Sequence, residues 1–298
     1  SAAAGRGIAP GWEVVGVGDE DVPLLLAEVA RELDGNRRLD AHLHAAVEAR
    51  LEGLVGERVV VLLLDGSGRR REVALDLEEK LGKKVQFGML PATYVSIRTA
   101  ELEDGVGYLG FTSFLDPLRL MPAVDSALQT HLEAPGVVID LRGNGGGLPG
   151  MASGIARWLV VEKGHSLGTV TTRETTLRMV ISPRPRTFAG RVAILVDCRS
   201  GSASEFLAAG LQDIGRARVF GTRSMGAVLS SIVERLRIGG GFQYGFGNYV
   251  TAGGTRLEGV GVTPDEEVVA TRDELLAGRD PVLERAVAWI LHRSEHTI

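Results

Sequence analysis

The feature that most constrains this chain is an alternation that begins near residue 106. Short, continuously apolar runs such as "GVVIDL" (136–141) and "RVAILV" (191–196) each give way to a loop of very small residues, and then to a helical period. A strand that is apolar on both faces has to be covered on both faces, which is the habit of parallel strands packed between helices. Helical periods stand in the required places: "PLRLMPAVDSALQTHLEA", "MASGIARWLVVEKG" and "SEFLAAGLQDIG". With the strands "SLGTVTT", "TLRMVIS" and "ARVFG", a β-rich stretch to about residue 250 and a closing helix in "DPVLERAVAWILHR", residues 106–298 read as one α/β unit.

The 298 residues leave room for about two domains. Residues 1–77 read as the other one. They hold a short strand between turns (8–22), two amphipathic helical segments within 23–54, and a hairpin whose strands flank "DGSG" (65–68). Residues 78–105 read as a connector with some strand. His42 and His44 are two apart on a helix, so they face different sides and do not form a metal pair. The net charge of −5 gives no basic footprint, so a nucleic-acid partner is not expected. No apolar run reaches the ~18 residues of a membrane span. The single Cys198 cannot form an internal disulfide.

Two loops carry chemistry. In "VVIDLRGNGGGLPG" a strand delivers the chain into Gly145, Gly146 and Gly147 ahead of a helix. Consecutive amides near a helix start bind anions, either a phosphate or the oxyanion of an acyl transfer. The spacing Gly145, Gly147, Gly150 also fits a dinucleotide fingerprint. The long approach through Arg142–Asn144 and the proline at position 149 argue against that reading. A sharp turn under a crowded sheet is the purely structural account. In "DCRSGSASE" (197–205), Ser202 and Glu205 have the spacing of a capping box. A cap needs one serine, however. Three serines interleaved with glycine and alanine also make an open turn at a positive helix end, where an alkoxide or tetrahedral oxyanion is stabilised.

Four blocks in order, "GYLGFTSF", "GVVIDLRGNGGG", "VAILVDCRSGSASEFLAAGLQDIGRARVFGTRSMGA" and "LEGVGVTPDEEV", resemble the carboxyl-terminal processing (tail-specific) serine peptidases of the S41 type, relatives of the tricorn core protease. The resemblance implies a ClpP/crotonase-like αβ sandwich peptidase core over 106–298. It also implies a partial PDZ-like module with a helical insertion over 1–77, whose first strand and carboxylate-gripping loop would precede Ser1. The nucleophile falls on Ser202, with Ser200 and Ser204 as structural companions. The oxyanion hole falls on the amides of Ala203, Gly146 and Gly147, and Asp213 matches an acidic position of the family helix or is a solvated acid.

The general base departs from the pattern. The tail-specific branch has a lysine 25 positions after the serine, where this chain has Ala227. The tricorn branch uses an upstream histidine and a glutamate in the "LEG" block. Glu258 fits the glutamate, but no histidine lies between His44 and His131. His165 is the best placed remaining imidazole, or else a surface histidine. His131, His292 and His296 read as helix-face or tail residues. The resemblance implies a polypeptide substrate, no metal or nucleotide cofactor, a possible homo-oligomer and an extracytoplasmic location. A non-catalytic peptide- or ligand-binding relative is the alternative.

Overall fold

The structure is a computed structural model describing residues 2–292; His296 lies outside the described residues. The chain up to Leu81 and the segment Val269–Pro281 form one compact unit, and Gly82–Val268 with the chain from Val282 form a second. These boundaries differ from the sequence reading at two places. Most of the expected connector joins the second unit, and a short segment after Val268 returns to the first.

In the first unit, α1 (Ala2–Gly5), β1 (Glu13–Val17) and β2 (Glu20–Asp21) precede α2 (Val22–Glu32) and α3 (Leu39–Arg50). Strands β3 (Arg58–Leu64) and β4 (Arg70–Asp76) follow. The strands form an antiparallel sheet in the order β2-β1-β3-β4. Helix α2 starts where Asp21 accepts a hydrogen bond from the Leu24 amide at 2.9 Å, with a proline in its first turn. The β3–β4 turn is organised by Asp65. Its carboxylate accepts from Ser67 and Arg69 amides and from Arg71 Nε at 2.8 Å. The Ser67 hydroxyl, then Arg71, hold that carboxyl far below the usual range. Val17, Val22, Val61 and Leu63 make this unit's small core.

The second unit opens with a two-stranded pair, β5 (Lys83–Val85) and β6 (Thr93–Val95), and β7 (Ile97–Glu101). Then come β8 (Gly107–Phe111), α4 (Pro117–Thr130), β9 (Gly136–Asp140), α5 (Pro149–Leu159), β10 (Ser166–Thr172), β11 (Thr176–Val180), β12 (Arg191–Val196) and α6 (Ala203–Asp213). Strands β13 (Ala217–Gly221), β14 (Ser230–Arg235), β15 (Gly241–Thr251) and β16 (Glu266–Glu267) complete it, before α7 (Arg272–Leu276) in the first unit and α8 (Pro281–Ile290). The main sheet runs β16-β13-β12-β9-β8-β7 and is parallel except at β7–β8. Val137, Ile139, Val192 and Ile194 face α4, α5 and α6, while Val138, Ala193, Leu195 and Phe220 face α8. This is the two-sided cover that the apolar runs demanded.

A second, antiparallel sheet, β11-β10-β15-β14, packs on the far side of α6. Helix α6 is therefore buried on every side from Ala203 to Leu211. Its small residues have a packing reason: a side chain on Gly210 would come within 2.7 Å of the Leu167 Cα in β10. Among the described residues, no helix is long and apolar enough to cross a membrane.

Candidate active site

Parallel pairing of β9 with β12 (Ile139 with Ile194, Asp140 with Leu195) brings the loops after both strands to one end of the sheet. Buried polar side chains tie those loops together. Ser200 Oγ donates to the Leu141 carbonyl at 2.8 Å, and Asp197 Oδ1 accepts from the Gly143 amide at 2.9 Å. Ser204 Oγ and the Gly201 amide both donate to the Asn144 carbonyl, at 2.8 and 3.0 Å. Asn144 Nδ2 in turn donates to the Phe111 carbonyl at the end of β8, at 2.8 Å. Ser200 and Ser204 thus serve as braces, and the whole hydroxyl budget of the loop except Ser202 goes into joining the two turns. Nearby, the Tyr108 hydroxyl donates to Asp140 Oδ2 at 3.0 Å, and burial pushes the phenol up to about 12.

Ser202 is half-buried and precedes α6 with φ 53° and ψ −115°. A non-glycine residue there stores about 1–3 kcal/mol of strain that its surroundings must hold in place. The triple-glycine turn lies directly against it. A Cβ on Gly146 would sit 2.6 Å from Ser202 Cβ and 2.9 Å from the Ala203 amide nitrogen, and φ at Gly146 is +100°. Gly147 has φ +142°, and a Cβ there would strike the Phe114 backbone at 2.6 Å. Gly146→Ala is expected to push the two loops apart. It should cost about 2 kcal/mol in urea unfolding and lower the reactivity of Ser202 toward acylating probes.

The amides facing this point are not equivalent. Ala203 is the first residue of α6, where an N–H has no intrahelical acceptor. Neither its N–H nor that of Gly147 has a hydrogen-bond partner among the described residues. The Gly146 N–H differs from expectation: it donates to Asn144 Oδ1 at 2.9 Å, while the Gly146 carbonyl accepts from Phe114 N and Ser113 Oγ. Of the three expected donors, Ala203 and Gly147 thus keep N–H groups without a partner among the described residues.

Glu205 is fully buried and holds the Ser202 loop to a third segment. Oε2 accepts from the amides of Ser202 at 2.9 Å and Ala227 at 3.0 Å; Oε1 accepts from Ser224 Oγ at 2.6 Å and the Gly226 amide at 2.7 Å. Burial pushes this carboxyl upward and prevails over the hydrogen bonds from Ser224, Gly226, Ala227 and Ser202. Because Ser202 N and Ala227 N share one oxygen, they lie no more than about 6 Å apart. Glu258 takes the next two amides of the same segment, Val228 at 2.8 Å and Leu229 at 3.0 Å. The structure thus brings Ser202, Ala203, Gly146, Gly147 and Ala227 together, with Glu258 beside them.

Two expected residues are not brought in. Asp213 ends α6, about 15 Å along the helix from its first residue, Ala203, and its Oδ2 accepts from the Gly253 amide at 2.6 Å. It braces a turn. His165 pairs with Glu162 at 3.4 Å and precedes β10, whose Leu167 packs at the Gly210 end of the same helix. Glu205 was visible only as half of a capping box. Its grip on residues 224–227 depends on a contact some twenty residues away that no local pattern encodes. Asn144 likewise carried no signal beyond its place among glycines.

Sequence and fold comparisons bear on the family and the fold of this chain. The sequence model of peptidase family S41 matches residues 105–268. A carboxy-terminal-processing protease of Bartonella bacilliformis is 30% identical over 188 residues, covering 61% of this chain and 43% of that protein. The chloroplastic carboxyl-terminal-processing peptidase 1 of Arabidopsis thaliana is 28% identical over 195 residues, covering 64% and 40%. The chain thus spans about two-fifths of the length of these curated relatives. In fold, it is similar to mature CPAF complexed with lactacystin, with TM-score 0.66, 15% identity, and 95% and 78% of the two chains covered. It is also similar to the photosystem II D1 C-terminal processing protease, with TM-score 0.56, 24% identity, and 90% and 66% covered.

Proposed function

The chain belongs to peptidase family S41, and from that we propose that it is a serine endopeptidase that cleaves polypeptides near their C-termini through an acyl-enzyme at Ser202. The observation that carries the reading is the convergence of Ser202 with the Gly146–Gly147 turn at the start of α6. Ser202 Oγ adds to the scissile carbonyl carbon as its proton passes to a base. The negative charge collects on the carbonyl oxygen, facing the amides of Ala203 and Gly147 and the positive end of α6. Collapse breaks the C–N bond, the amine leaves with a proton, and water then cleaves the Ser202 ester. The first unit, with its antiparallel sheet, is read as part of a PDZ-like module, and an extracytoplasmic site of action belongs to the same proposal.

A second reading rests on the resemblance, which sets Ala227 at the family's lysine position; the chain's four lysines, at 80, 83, 84 and 163, lie in other segments. Such a chain would hold polypeptide without cutting it. Labelling of the folded chain with a fluorophosphonate decides between them. The expected result is modification of Ser202, absent in Ser202→Ala, together with slow cleavage of an unfolded protein such as casein. Absence of both labelling and cleavage sinks the peptidase reading, and peptide binding that survives Ser202→Ala then supports the second.

A further inference from the structure

The hairpin of β14 and β15 runs well past the sheet that roots it. β10 pairs with β15 only from Gly247 onward, whereas β14 and β15 stay paired out to Arg235 and Gly241. Residues 241–246 therefore extend about 20 Å beyond β10, at ~3.4 Å per residue. The turn closes through Gly239 N to the Leu236 carbonyl at 3.1 Å and Leu236 N to the Gly240 carbonyl at 3.2 Å. At its apex Ile238 is 94% exposed; Leu236 and Phe242 beside it are 41% and 55% exposed.

The arm is sorted by face and by charge. Phe242 and Tyr244 alternate onto one face, and Ile232 sits opposite Tyr244 on that face; Phe246 falls at the register shift between Ser230 and Ser231 and lies outside this alternation. The rings of Phe242 and Tyr244 stack at 5.7 Å. Between residues 230 and 251 the only acid is Glu234, which accepts a hydrogen bond from the Tyr244 hydroxyl at 2.8 Å. Arg235 and Arg237, both exposed, bracket Leu236. In a chain of net charge −5, this arm is positive.

We propose that the tip of the β14–β15 arm docks on an anionic lipid surface. Leu236, Ile238 and Phe242 enter the apolar margin of the layer, and Arg235 and Arg237 lie among its phosphates. An aliphatic apex, an aromatic rung beneath it and flanking arginines match the order of environments met on entering such a surface. Charge complementarity selects an anionic layer over a neutral one. Area selects a lipid surface over a second copy of the chain, because a stable dimer buries about 800 Å² per partner, more than the apex of a two-stranded arm presents. The proposal is independent of the chemistry at Ser202.

Flotation of the full chain with vesicles of phosphatidylglycerol and phosphatidylcholine, or of phosphatidylcholine alone, tests it. The chain is expected to float with the anionic vesicles and to release as salt is raised. Ile238→Asp should cut binding at least about tenfold. Arg235→Ser with Arg237→Ser should reduce binding to the level seen with neutral vesicles. All these positions are exposed, so circular dichroism and the urea midpoint should not move. Three results would overturn the proposal: no flotation, Ile238→Asp floating like the parent, or a dimer in sedimentation that Ile238→Asp dissociates. The last would assign the tip to a second copy.

Discussion

Ala227→Lys is expected to raise kcat/KM for peptide hydrolysis by about 10²–10³-fold, within the ~10²–10⁴ that a positioned general base contributes. The geometry supplies the reach. Ala227 N and Ser202 N share Glu205 Oε2, and lysine carries its amine on a flexible four-carbon stem. The surrounding carboxylates already bind four consecutive backbone amides, Gly226 and Ala227 on Glu205 and Val228 and Leu229 on Glu258. The new amine therefore enters a segment whose backbone is fixed. The positive end of α6 favours its neutral form, the form that can accept the Ser202 proton. The variant should gain an alkaline limb in its pH–rate profile that the parent lacks, and Ser202→Ala in the same background should abolish the gain. A folded Ala227→Lys variant with unchanged kcat/KM would mean that Ser202 Oγ does not face position 227.

What could be read from the residues follows from range. Strands 136–140 and 191–196 declared themselves because continuous apolar runs admit few environments, and Ser202 with Glu205 because a capping box is four residues long. Asp213, read either as a site acid or as a solvated one, lies ten helical steps along α6 from Ala203, and its position in the sequence does not say which end of the helix faces the loops. The partner of the Gly146 amide could not be read, because the acceptor is a side chain, Asn144 Oδ1, whose direction depends on its own anchor at Phe111. The return of residues 269–281 to the first unit depends on tertiary contacts as well. Arg272 donates to the carbonyls of Gly11 and Asp65, more than two hundred residues away in sequence. Features confined to one loop were legible in the residues themselves; the hydrogen bonds between loops were not.

Glu205→Ala is expected to lower unfolding stability by about 3–5 kcal/mol, the usual cost of breaking a buried charged network. The substitution leaves three amides, those of Ser202, Gly226 and Ala227, without acceptors, at up to ~1–3 kcal/mol each before water enters. Ser224 Oγ, which also accepts from the Val262 amide at 2.6 Å, loses its acceptor too. The loss reaches the site directly, because the strained backbone of Ser202 is held at its own amide by this carboxylate. The pH dependence has a definite sign. Burial raises the Glu205 carboxyl above its ordinary value, so in the intervening window the folded state binds more protons than the unfolded chain. The pH-linked part of the stability this group contributes is full below the ordinary carboxyl value and is lost as pH rises through the raised one. The difference between parent and variant urea midpoints should therefore shrink from acid toward neutral pH while staying large throughout. A variant that unfolds at the parent's urea concentration at every pH would show that Glu205 is a bystander, and that residues 224–227 are held to Ser202 by something else.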